Sequence, residues 1–297
     1  MSTAADVHDA APGAAPLSRV PRRIDRFAWL AAPALSYLAL LYALPLGLLL
    51  FKSLSAAGQF PSIAGYVEFF EDSFHLKILW RTVHAALWTT ALALLLAYPT
   101  AFVLARARGW LQTLILVAMV LPLAVGVVVK TFAWSILFRS DGLLNKTLIA
   151  AGVVDAPVRM LFTEAALVVA ATNVFLPFMV LPIYAVVRQL DPRLPEAAAT
   201  LGASPLYGFL RVTVPLTLPG VIAGSAFVFS MAVSMYVIPS LIVGERSQTL
   251  SMLIARSYLF LRDEQLGSSM SAILLLIAIG VVLGSSWLVR RAAGGRG

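Results

Sequence analysis

The sequence predicts an all-α membrane protein with six transmembrane helices, and two observations carry that prediction. Six apolar stretches, near 28–51, 83–105, 111–130, 163–187, 217–243 and 269–289, each have the roughly 20 residues that a helix needs to cross a bilayer. The composition agrees: the 297 residues are 60% hydrophobic and only 12% charged, with a mean hydropathy of +0.90. That many charges cannot cover the surface of a water-soluble protein of this size, so lipid is the solvent. Cysteine is absent, which excludes disulfides and thiolate metal sites.

Residues 1–26 are rich in Ala, Pro and small polar side chains and end in Arg19, Arg22, Arg23 and Arg26. They hold too little apolar surface to fold alone and read as a disordered tail. The first apolar stretch is longer than the roughly 7–15 residues of a signal-peptide core, which favours an uncleaved span. Between the first two spans, residues 52–82 mix Tyr66, Phe69, Phe70, Phe74 and Trp80 with charges, the pattern of an interfacial amphipathic segment. Residues 138–160 carry Asp141-Gly142 for a turn and then a short helix over Leu143–Ala151. Asn145-Lys146-Thr147 inside it matches a glycosylation pattern that is common by chance. Gly220 with Gly224, and Gly280 with Gly284, place small residues one turn apart, where they permit close helix approach, more simply within the subunit than at a dimer seam.

Arginines set the orientation. Arg106 and Arg108 follow the second span, Arg188 and Arg193 the fourth, Arg290 and Arg291 the sixth. Placing these ends and both termini in the cytoplasm satisfies the positive-inside rule. The membrane domain is then 27–291, and 292–297 forms a second short cytoplasmic tail. The net charge of +8 follows from those flanking residues. No basic run or helix face of useful length indicates a nucleic-acid partner.

The connection between the fourth and fifth spans, 191–215, has a grammar of its own. Asp191 can cap a helix that starts at Pro192, with Pro195 still in the tolerant first turn. Glu196 lies where a negative charge meets the positive end of the helix dipole, worth about 0.3–1 kcal/mol. Ala197, Ala198 and Ala199 form helix readily and leave a smooth surface. Gly202 is a natural stop, Ser204-Pro205 starts a second helix, and Pro215 and Pro219 mark the return to the membrane. Two short helices joined by a sharp turn at the membrane surface suit docking into a cleft on another protein.

The spacing from Glu196-Ala197-Ala198 through Gly202 to Val212-Thr213-Val214-Pro215 resembles the EAA loop of the permease subunits of bacterial ABC importers. Val212 and Val214 stand where that family usually shows Ile and Leu. The resemblance implies a type I importer permease fold in the bacterial inner membrane and an ATPase-coupling role for Glu196, Ala197, Ala198, Gly202 and Pro215. It also implies partners: a second permease subunit, a dimer of cytoplasmic ABC ATPases and a periplasmic substrate-binding protein, all in membrane lipid. ATP and magnesium belong to the ATPase. Accordingly, Lys52, Lys77, Lys130 and Lys146 all lack the Gly-rich context of a phosphate-binding loop, and this chain needs no cofactor of its own.

Leu121-Pro122, Lys130-Thr131-Phe132-Ala133-Trp134, Gly142-Leu143-Leu144-Asn145, Val237-Ile238-Pro239-Ser240-Leu241 and Gln248-Thr249-Leu250 resemble the spermidine/putrescine-type group of these permeases. The likeness extends over roughly 28–290. Lys130 replaces the usual Arg of the group. As an ionisable group near a span end it is a pathway candidate or a side chain reaching for the headgroups. Trp134 and Tyr236 offer aromatic faces to a cation. Asn173, inside the fourth span, can line the pathway or bond a neighbouring helix. Acidic residues in the inner parts of the spans, which a polyamine path would want, are lacking; Glu164 sits at an end.

Other functions compete on the spans alone. His8, His75 and His84 do not form an i, i+4 zinc pair, and no aspartate pair lies within the membrane, so the chain reads as a transport subunit and not an enzyme. A secondary transporter, or a docking or sensor protein working without an ATPase, is the alternative; paired interrupted spans and buried coupling carboxylates would mark the former.

Overall fold

The computed structural model describes residues 26–55, 60–191 and 193–294. These are helices and their connections, with no strand among the described residues. The chain divides into two units, residues 1–47 and 48–297. The described part of the first is the apolar body of α1 (Arg26–Ser53), which contains Pro33 and Pro45. The expected tail lies outside the described residues up to position 25; its last residue, Arg26, already opens α1.

The second unit begins with the end of α1 and continues through α2 (Ala64–Glu71) into α3 (Ser73–Arg106). Asp72 caps α3 by accepting from the Phe74 amide at 2.8 Å. The expected interfacial segment is therefore α2 with the first turns of α3: Phe69 is buried, while Phe70, Phe74 and Trp80 are exposed. The second span starts ten residues before its predicted boundary because polar residues are tolerated at its interfacial end.

Then come α4 (Trp110–Ala124), α5 (Val127–Leu137), α6 (Leu143–Ala150) and α7 (Glu164–Val187). The connection from α7 to α10 (Val214–Ser234) holds α8 (Arg193–Thr200) and α9 (Pro205–Gly208). After α10 follow α11 (Val237–Ile242), α12 (Leu250–Arg256) and α13 (Glu264–Gly294). Helix α13 overruns the expected start of the second tail at 292; residues 295–297 lie outside the described residues. Five helices are long and apolar enough to cross a membrane, and the bent pair α4–α5 makes a sixth when taken as one span.

Packing centres on α3, α7 and α10. Helix α3 turns an alanine face, Ala85, Ala93, Ala97 and Ala101, into the core. Small residues let helix backbones approach where lipid supplies no hydrophobic drive. On α10, a Cβ at Gly220 would lie 2.9 Å from the Pro182 carbonyl oxygen of α7, and one at Gly224 would lie 3.0 Å from Met179 Sδ. This glycine pair is an internal seam, as expected. Gly280 and Gly284 on α13 face open space instead.

A second cluster, built on Phe69, Ile78, Leu250 and Met270, joins α2, α3, α12 and α13. Thr82 of α3 accepts there from the Leu250 amide at 2.8 Å and so caps α12. The loop around α6 is tied by Asn145. Its side-chain amide donates to the Arg139 and Val158 carbonyls at 3.0 Å each and its oxygen accepts from the Val158 amide at 2.8 Å. Fully buried and committed to these bonds, Asn145 is a structural tie and not a glycan acceptor.

Two predicted spans are corrected. The third is not a straight helix over 111–130; it bends by 103° between α4 and α5. Pro122 lacks the amide that would continue the helical ladder, and Val125 (φ −84°, ψ 125°) is extended. The fifth, expected over 217–243, ends at Ser234, and Met235 is extended before α11. Pro239 cannot donate to the Met235 carbonyl; the Ser251 hydroxyl does so instead.

Candidate functional site

Two regions carry chemistry. The first is the connection 191–215. Asp191 Oδ1 accepts from the Arg193 amide at 2.9 Å, the expected cap; Pro192 lies outside the described residues. At the other end of α8 the Gly202 amide donates to the Ala199 carbonyl and the Ala203 amide to the Ala198 carbonyl, both at 3.0 Å. Those two bonds are a Schellman stop, and Gly202 takes φ +83° to make it. Ser204 then caps α9 by accepting from the Tyr207 amide at 3.3 Å, with Pro205 at its first position. A π-helical turn, Phe209–Thr213, leads into α10, where Pro215 sits in the first turn.

Glu196, Ala197 and Gly202 are exposed, and Ala198 is half-buried against the second helix. The Ala198 methyl lies 3.8 Å from where a Cβ on Gly208 would be. Sequence reasoning missed the rest of the face: Leu201 is 88% exposed, Leu206 67% and Tyr207 57%. Apolar side chains so far out of the fold, beside a smooth alanine surface, form a patch suited to a protein partner. Their run of large residues after the glycine was the available signal. The loop is also anchored to α3. Phe209 packs edge-on against Tyr98 at 6.1 Å and beside Phe102, and Tyr98 hydrogen-bonds Thr217 at 2.9 Å.

The second region lies where the two broken spans meet, since α5 packs against α11. A cavity of about 410 Å³ opens there, lined by Val125 and Gly126 of one break, Ser234, Met235 and Tyr236 of the other, and Lys130, Phe175, Phe178 and Met231. The structure thus brings Lys130 and Tyr236 to one cavity. Lys130 stands one turn past the bend, not at the end of a straight span. Met231 and Met235 pack into the core and also line this space. Trp134 and Asn173 do not line it. Trp134 Nε1 donates to Asn173 Oδ1 at 3.2 Å, which ties α5 to α7.

Tyr236 borders a further cavity of about 420 Å³, together with Ser240, Glu245, Gln248 and Arg256. Glu245 and Gln248 were not read as pathway residues because they lie beyond the predicted end of the fifth span. The break at Met235 brings them back beside Tyr236.

Residues 90–292 match the model of the family described as binding-protein-dependent transport system inner membrane component. The chain belongs to that family. It is 33% identical over 220 residues to the spermidine/putrescine transport system permease protein PotB of Escherichia coli (strain K12), covering 74% of this chain and 80% of that one. It is 36% identical over 208 residues to the molybdenum transport system permease protein ModB of Mycobacterium bovis, covering 68% and 75%. A solved bacterial ABC transporter involved in the import of the acidic polysaccharide alginate superposes with a TM-score of 0.67 at 18% identity, covering 89% of this chain and 94% of that one. A solved bacterial alginate ABC transporter in complex with an alginate pentasaccharide-bound periplasmic protein gives 0.68 at 18% identity, covering 89% of this chain and 93% of that one. The fold is therefore that of an ABC importer permease, and the protein is a multi-pass component of the bacterial inner membrane.

Proposed function

We propose that this permease carries a small solute, of the polyamine type or related, delivered by a periplasmic binding protein, and that it is driven by ATP hydrolysis in a separate subunit. The observation that supports this most directly is the loop 191–215. It is a capped helix, a glycine stop and a second helix, presenting Glu196, Ala197 and exposed apolar side chains to a partner. In this reading the loop docks into a cytoplasmic ABC ATPase dimer that holds ATP and magnesium, and both termini face the cytoplasm. When the ATPase dimer closes, the loop moves with it. Phe209 against Tyr98 and Phe102 passes that motion to α3.

A second permease subunit, the same or similar, completes the enclosure. The solute path runs past the two breaks, with Lys130 and Tyr236 on its wall and Trp134 and Asn173 holding the α5 arm in place. PotB is named for spermidine and putrescine and ModB for molybdenum, so relatives of similar identity are named for a cation and for a metal. Lys130 disfavours a highly cationic solute in the first cavity; in the next, Glu245 and the Tyr236 ring favour one and Arg256 opposes them. Mass spectrometry of what co-purifies with the tagged chain in mild detergent tests the assembly. An ATPase with a phosphate-binding loop and a second permease are expected. The chain alone, or only as its own oligomer, would overturn the reading in favour of a transporter that works without ATP.

A further inference from the structure

Beside the loop, three arginines that form no ion pair among the described residues converge on one pocket. Arg106 ends α3, Arg108 follows it, and Arg188 caps the end of α7; together with Asp191 they rim a pocket of about 390 Å³. Arginine is favourable at both helix C-termini, where the dipole is negative, so topology alone accounts for basic residues here. It does not account for their convergence over an apolar floor. Val187, Leu190 and Leu216 form that floor between the helices.

Two of the guanidinium groups are also held in place while keeping donors free. Arg106 lies over the Phe102 ring at 5.8 Å, and Arg188 donates to the Tyr184 hydroxyl at 3.3 Å. None of the three lies within 4.0 Å of a carboxylate among the described residues. Asp191, whose Oδ1 caps α8, offsets only one of the three charges. Three positive charges against one negative, above an apolar floor and at the membrane end of two spans, match one ligand. It has a phosphodiester anion at one end and hydrocarbon at the other.

We propose that the pocket rimmed by Arg106, Arg108 and Arg188 binds the headgroup of an anionic phospholipid of the inner leaflet. The proposal rests on the cytoplasmic placement of the loop 191–215 given above. Arginine forks hold phosphate oxygens in pairs, and basic pockets between spans on the cytoplasmic side are suited to such headgroups. Because Asp191 and Leu194 belong to the loop connection and line the same pocket, the lipid braces the hinge from which α8 moves. An occupied pocket therefore holds the docking loop in register with α3 and α7.

Native mass spectrometry of the full chain tests this, with phosphatidylglycerol and phosphatidylcholine of identical acyl chains added in equal amounts. Wild type is expected to retain phosphatidylglycerol preferentially. The double variant R106Q/R188Q is expected to retain on the order of tenfold less, with phosphatidylcholine unchanged and helical content by circular dichroism intact. R106K/R188K keeps the charge and is expected to lose part of the preference, since lysine cannot form the paired bonds. Equal phosphatidylglycerol retention by wild type and R106Q/R188Q overturns the proposal. So does displacement of the lipid by millimolar inorganic phosphate, which would make the pocket a site for a free anion. Loss of ATPase co-purification in R106Q/R188Q with lipid retention unchanged would assign the arginines to the partner protein instead, and also overturns it. The lipid readout needs no ATPase, so failure of the importer assembly would show separately, in co-purification from wild type.

Discussion

The docking loop and the cavity at the broken spans are built in opposite ways. The turns and caps of the loop are written within 25 residues of chain: a cap at Asp191, an alanine run, a glycine at φ +83° and a second cap at Ser204. The cavity needs two interruptions far apart in sequence, at Val125–Gly126 and Met235–Tyr236, to meet through α5 and α11. The loop is a local object that moves as a unit. The cavity is a property of the packed fold and changes when the packing changes. Such a division suits a machine in which one part receives force and another opens.

The sharpest way to break the comparison is to damage the loop and find the cavity's function unchanged. Glu196→Lys reverses the charge at the exposed start of α8. Gly202→Asp places a charged side chain on a left-handed residue, at a cost below the roughly 1–2 kcal/mol of a bulkier residue, since Asp does visit that region. No atom lies within 4 Å of a Cβ at Gly202, so the fold has room for the change and the strain stays in the turn. Uptake by the assembled transporter is expected to fall at least about tenfold for either variant, with normal amounts of the subunit in the membrane. Normal uptake in both would remove the docking role.

The second test acts on the packing that the cavity depends on. Gly220→Val inserts a branched side chain where even a single methyl meets the Pro182 carbonyl at 2.9 Å and the Ile183 Cα at 3.1 Å. Backbone cannot yield as a flexible side chain would, so a loss of about 1–3 kcal/mol is expected. A thermal midpoint in detergent lowered by several degrees, with the loop sequence untouched, would confirm that the α7–α10 seam is closely packed. An unchanged midpoint would mean that α10 can shift away freely.

Lys130→Met separates the two regions functionally. Removing the charge while keeping the length is expected to change the solute concentration for half-maximal uptake by about tenfold, equivalent to about 1.4 kcal/mol. ATPase co-purification should stay as in wild type. For a cationic solute the change is a tightening, since a like charge leaves the wall; for an anionic one it is a weakening. No change with either kind of solute would return Lys130 to the role of a side chain reaching for the headgroups.

What was legible in the sequence follows the same division. The span count, the short helix after Gly142 and each capping residue of the loop depend on neighbours in sequence, and the structure places them as expected. The 103° bend of the third span was written as Pro122 and Gly126 inside an apolar run. Hydropathy alone is blind to it, because the carbonyls and amides released at a break are satisfied by partners elsewhere in the fold. Ser251, which bonds the Met235 carbonyl, is 16 residues away in sequence. Glu245 escaped notice, and Gln248 was legible only as part of a motif, for that reason: their place beside Tyr236 depends on a turn the apolar pattern hides. Leu201 and Tyr207 escaped for another. An exposed apolar side chain and a buried one look alike until the fold shows which face is left uncovered.

The smallest effect concerns Trp134 and Asn173, two candidates that the structure joins to each other and not to the first cavity's wall. Their 3.2 Å hydrogen bond runs from α5, beyond the bend, to α7 in the core. Trp134→Phe keeps the ring and its stacking on Phe138 at 5.1 Å while removing the donor; Asn173→Ala removes the acceptor. Interhelical bonds in membranes couple by only about 0.6 kcal/mol on average, because each partner finds substitutes. A double-mutant cycle on the unfolding free energy is therefore expected to give about that value, with uptake barely altered. If instead each single change lowers uptake tenfold at unchanged stability, the pair faces the solute after all. The path would then extend along α5 past Lys130, and the boundary drawn here around the cavity would move with it.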